Sequence, residues 1–129
     1  MIFDWLFGKR AHARQLDRDA RSVLRYAREG YGPDRQGQAA VATRRAIQDA
    51  HERMEQGNEQ RKAVVRALKD YHRGARRTRN DINLTAFTLA IIYIEAEGLD
   101  DAAADAKQGI DDFLADWKHL EDDEHDVVF

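Results

Sequence analysis

Ten basic side chains stand at spacings that could hold phosphate. Arg14, Arg18, Arg21, Arg25 and Arg28 form one row, and Lys62, Arg66, Lys69, Arg73 and Arg76 form a second. Steps of four and three residues stack side chains along one helical face, so each row predicts a nearly straight basic ridge. Such a ridge can meet successive phosphates and release their counterions, which gives salt-sensitive, sequence-independent affinity for nucleic acid. A competing use lies inside the chain. Residues 1–80 carry 19 Lys and Arg against 10 Asp and Glu, and residues 81–129 carry 2 against 14, so +9 faces −12 within a net charge of −3. The ridges are therefore expected to be solvated or to pair with the acidic C-terminal helix, within one chain or between two. Each exposed pair is worth only about 0–1 kcal/mol and sets orientation and partner choice more than stability.

Other chemistry is sparse. Ser22 is the only serine, no glycine-rich phosphate loop occurs, and cysteine is absent, which removes disulfides, thiolate metal sites and cysteine nucleophiles together. Helical spacing joins Asp116 to His119 and His51 to Glu55, but Asp116 belongs to an outward acidic row, and a buried di-metal site needs inward carboxylates. The five histidines are read as surface or boundary residues. Glu95, beside the most apolar stretch, is the first candidate for a raised pKa; the competing reading is a carboxylate at a polar helix edge. No catalytic residue, metal site, cofactor or small-molecule substrate is expected.

The elements that must carry these residues are helices. Pro occurs once in 129 residues, charged residues make up 35%, and strand-forming runs are scarce. One domain over 1–129 is expected: an all-α, antiparallel bundle of four to five helices around a central apolar helix near 82–96. A first helix from Lys9 to Glu29 turns Leu16, Ala20, Val23, Leu24 and Ala27 inward, and Gly30 and Gly32 followed by Pro33 close it and open the next. The second, Pro33 to Gln56, has a small-residue stripe of Ala40, Thr43, Ile47, Ala50 and Met54. From Asn58 a helical pattern runs to Gly98, and a single helix of that length, about 58 Å, would be roughly double its neighbours. A break is expected between Gly74 and Asn83. The last helix is expected from an Asp100 N-cap to Leu120, with Ala103, Ala106, Ile110, Phe113, Leu114 and Trp117 inward. The two basic helices also align at an offset of 48 residues, Leu16 with Val64 and Ala20 with Leu68, as a shared heptad register or an old duplication would produce.

Around Phe87 the sequence is apolar over most of a helical circumference, with only Asp81, Thr85, Thr88 and Glu95 as a polar edge. A helix of that kind must be covered on more than one side. Two covers are open: the apolar segment within residues 1–8, with Trp5 and Phe7, or another subunit meeting Phe87, Leu89 and Tyr93. The N-terminal segment could instead lie in a membrane interface, an alternative that Asp4 weakens. The run from Leu84 to Ile94 falls short of the roughly 20 apolar residues needed to span a bilayer. Residues 121–129 read as an acidic tail. The function expected is that of a non-enzymatic, cytoplasmic interaction protein that self-associates as a homodimer or small oligomer and binds a protein partner. Nucleic-acid binding through the two ridges is the first alternative, and peripheral membrane association the second.

Overall fold

The computed structural model describes residues 2–57 and 59–120, with side chains described from residue 8 onward. The order is α1 (Ile2–Gly30), α2 (Pro33–Glu55), α3 (Arg61–Arg77), α4 (Asp81–Glu97), a 3₁₀ turn (Asp100–Ala103) and α5 (Ala104–Asp116). No strand occurs among the described residues. Short connections make successive helices run antiparallel, and α4 lies at the centre, packed on all four others. The bundle is thus all-α, with α1 continuous from residue 2 rather than beginning near Lys9 after a separate segment.

Periodicity sets the inward faces. On α1, Ala13, Leu16, Ala20, Leu24 and Ala27 are buried at steps of three and four. Gly32 is extended and uncapped, Pro33 supplies a first helical residue that needs no donor, and the Gln36 amide donates back to Tyr31 O (2.8 Å) and Arg28 O (3.2 Å), closing the end of α1. On α2 five consecutive residues, Ala39 to Thr43, are all fully enclosed. Small side chains allow neighbours to approach on several sides at once, and the Thr43 hydroxyl is satisfied by Ala39 O at 2.7 Å.

The expected break falls at Thr78–Asn80 and needs neither Gly nor Pro. Thr78 Oγ1 donates to Gly74 O, Arg79 turns left-handed (φ 56°), and Asn80 starts α4 as an N-cap by accepting from the Asn83 amide at 3.1 Å. The last helix departs from expectation at both ends. Asp100 takes a left-handed conformation (φ 55°) and does not cap; a 3₁₀ turn intervenes before α5. The missing cap comes from across the bundle, where Asp17 on α1 accepts from the Ala106 amide at 2.9 Å. At the other end α5 stops at Asp116, and Arg44 on α2 donates to Leu120 O (2.8 Å) and Trp117 O (3.2 Å). An anion at the N-terminus and a cation at the C-terminus also oppose the helix dipole. A close approach supports that end: a Cβ on Gly37 would lie 2.6 Å from the Leu120 side chain.

Candidate functional site

A groove runs between α1 and α3, with one face of α4 as its floor. Leu84, Thr88, Ile91 and Glu95 line the floor, again at steps of four and three. The α1 wall is formed by His12, Leu16, Asp19, Ser22, Val23 and Tyr26, and the α3 wall by Lys62, Val65, Arg66, Lys69 and His72. Three hollows of 460, 490 and 400 Å³ make it up; the first two share Lys69 and Glu95, and the last two share Val23, His72 and Thr88. From Asp81 to Leu99 the floor spans about 27 Å at 1.5 Å per helical residue. Leu84, Thr88 and Ile91 are half-buried, so they present surface that their own chain leaves open.

Electrostatically the walls differ. Lys62 and Arg66 are exposed and have no ion pair among the described residues, while Lys69 Nζ lies 3.8 Å from Glu95. On the opposite wall His12 Nε2 is 3.3 Å from Glu95, so this carboxylate at the polar edge of α4 is bridged from both sides of the groove. His72 sits half-buried where the second and third hollows meet; burial, and then the Arg76 charge, lower its pKa below the ordinary imidazole range. At the groove's end Asp81 accepts from Tyr26 (2.9 Å) and Tyr31 (2.5 Å), and Arg35 lies over the Tyr31 ring at 4.8 Å. Burial, and then the bond to Asp81, raise the Tyr31 pKa, which keeps the phenol a donor. The cluster ties α1, α2 and α4 together beside the opening.

Comparison with known proteins found no matching family, no matching curated protein and no matching solved structure. The site must be read from its own residues.

All ten residues of the two rows are exposed, but they do not share an environment. Lys62, Arg66 and Lys69 rim the groove; Arg73 pairs with Asp70 on its own helix, and Arg76 stands beyond, next to His72. The α1 row faces outward. Arg18 bonds Gln15, and Arg28 lies 3.6 Å from Asp116 and over the Phe113 ring at 5.6 Å. Arg14, Arg21 and Arg25 have no ion pair among the described residues. Pairing between the α1 row and α5 is thus limited there to Arg28 with Asp116.

The apolar contact set needs correction. Leu89 is fully enclosed and offers no surface to a partner, and Phe87, 4% exposed, shows only an edge in a 430 Å³ hollow beside the exposed Tyr71. The physical reason is that α4 is wrapped by α2 and α3 as well as by α1 and α5, and Phe87 stacks on Tyr71 with ring centres 5.7 Å apart. Tyr93 is half-buried, and its hydroxyl donates to Asp111 at 3.0 Å. Trp5 and Phe7 lie outside the described side chains, so their expected part as a cover or membrane anchor is not placed. No group of three potential metal ligands occurs among the described residues, and no described helix is long and apolar enough to cross a membrane.

No local sequence pattern marks the α1 wall or the two caps of α5. The floor did leave a trace: the polar edge of the apolar helix, Thr88 and Glu95, marks the side of α4 that the bundle leaves uncovered.

Proposed function

We propose that this chain is a non-enzymatic interaction protein that seats a helix of a protein partner in the groove between α1 and α3. The observation that carries this reading is a continuous, half-apolar floor about five helical turns long beside a row of cations. An apolar stripe flanked by charge is the surface that helix-in-groove recognition uses, in which anchors at i, i+3, i+4 and i+7 fill the floor and charge fixes the register. Self-association through Phe87 and Leu89 is a weaker reading, because both are enclosed within their own bundle.

The test is a photoreactive residue at position 88, on the floor, compared with one at position 21, on the outward row. The reading expects a protein adduct from position 88, identified by mass spectrometry and lost when Lys62 and Lys69 are reversed to Glu. Adducts from position 21 alone, or a second copy of the chain as the sole adduct, would contradict it.

A second reading is favoured by one observation. Arg14, Arg21 and Arg25 are exposed on α1 at helical spacing without an ion pair among the described residues, an arrangement suited to phosphates. Filter binding of duplex DNA and RNA at low and high salt tests it, and retention unaffected by reversing these three arginines would end it.

A further inference from the structure

The groove's two walls are chemically unequal, and this inequality specifies a partner. On α3, Lys62, Arg66 and Lys69 follow one another at steps of four and three and flank Val65, so an apolar wall position and its basic rim share one face of that helix. The α1 wall offers Leu16, Val23 and Ser22, with Asp19, His12 and Tyr26 as its titratable groups. The floor runs from Leu84, Thr88 and Ile91 past Glu95, itself bridged to Lys69 and His12, to Leu99 beside Lys62 and Arg66. A ligand lying here must bury apolar side chains along its middle and carry negative charge along only one flank.

We propose that the groove takes an amphipathic helix whose one flank is acidic, its apolar stripe resting on Leu84 and Ile91 and its carboxylates meeting Lys62, Arg66 and Lys69. The proposal rests on the groove being the docking face, as set out above. A polyanion without an apolar stripe would leave Leu84, Ile91 and Val23 uncovered. A basic helix would place like charges against the α3 rim. A helix with acids on both flanks would bring one set against Asp19. Apolar contact supplies the affinity, and the rim supplies orientation and a salt-dependent association rate. On binding, a partner carboxylate at Lys69 takes the place now held by Glu95.

The experiment uses the full chain and two labelled synthetic helical peptides of about 18 residues. They share one stripe of leucines at i, i+4, i+7 and i+11 and differ only in carrying Glu or Lys along one flank. Fluorescence anisotropy at low salt should show the Glu peptide binding at least roughly tenfold tighter than the Lys peptide, with the gap shrinking at high salt. Reversing Lys62 and Lys69 to Glu should weaken the Glu peptide by about tenfold, whereas reversing Arg14 and Arg21 should leave it unchanged. Both pairs are exposed, and an unchanged thermal transition in each variant checks that the fold is kept. Equal binding of the two peptides, both weakened by Thr88→Arg, would overturn the acidic partner while leaving the groove as a docking face. Absence of binding by either peptide, or binding indifferent to Thr88→Arg in a variant with an unchanged thermal transition, would overturn both readings. If neutralising Glu121, Asp122, Asp123 and Glu124 to their amides raised the Glu peptide's affinity more than tenfold, the chain's own acidic end would be the occupant, and the proposal of a separate partner would fall.

Discussion

The basic rows on α1 and α3 have identical spacing and different surroundings. On α3, Val65 stands three residues from Lys62 and four from Lys69, so apolar wall and basic rim are neighbours on one helical face. On α1 the wall residues Leu16, Asp19 and Val23 are each two positions from an arginine of the row, and two positions place side chains on far sides of a helix. Ser22 forms the shoulder between them. One row therefore borders a hollow, and the other looks away from it toward solvent and the end of α5. Spacing alone makes a ridge straight; the rotation of the ridge relative to its own core stripe decides what it can touch.

That contrast can be broken first at α5, whose packing creates the surroundings of Arg28. Phe113 is fully enclosed beneath the Arg28 guanidinium, and Phe113→Ala should cost about 3–5 kcal/mol in urea unfolding, by lost burial and the cavity left behind. A loss under about 1 kcal/mol would show that α5 is not an anchored part of the bundle. Arg44→Met keeps the aliphatic stem and removes the donors to Leu120 O and Trp117 O. It should destabilise by about 1–3 kcal/mol. An unchanged denaturation midpoint would show that those carbonyls find other partners.

How much of this was legible in the sequence depended on whether one residue or two elements had to be known. The helices, the break between Gly74 and Asn83, and the all-α class follow from local periodicity, composition and turn chemistry, and these are properties of adjacent residues. The extent of α5 does not follow from its own residues, because its ends are held by Asp17 and Arg44, which lie on α1 and α2 and carry no mark of that task in their own neighbourhoods. The sequence of a single helix shows how apolar its circumference is, not how many neighbours surround it, so it does not reveal that Phe87 and Leu89 are enclosed. The groove is half visible in the sequence: Thr88 and Glu95 mark a polar edge, and the basic row of α3 marks a ridge. Their juxtaposition depends on how α3 is rotated against α4, which no local pattern states.

Two smaller effects sharpen the contrast. His72 looks into the groove near Asp19, Lys69, Glu95, Tyr26 and Asp81, beside Arg76 on its own helix, and its folded pKa is depressed. Because the unfolded chain binds the proton more readily, His72's contribution is present above the ordinary imidazole pKa of about 6.5 and is lost as pH falls through the lower folded value. Stability should therefore decline from pH 7.5 toward 5.5 with a slope that His72→Gln reduces. An identical slope in the variant, read by thermal unfolding at each pH, would contradict this. Smallest of all, Arg28→Ala removes an exposed pair with Asp116 and should cost less than about 1 kcal/mol. A larger cost in chemical unfolding would mean that the α1 row is fastened to α5 more firmly than a solvent-facing ridge should be.

The most direct test is amide chemical-shift mapping of the full chain titrated with the Glu-flanked helical peptide. Progressive shifts are expected along Leu84 to Glu95 on α4, Lys62 to Lys69 on α3 and the α1 wall residues Leu16, Asp19 and Val23, with the α2 face away from the groove unmoved. Shifts centred on the α1 arginines, or on the α2 face away from the groove, would contradict the assignment of the α1–α3 groove as the binding surface.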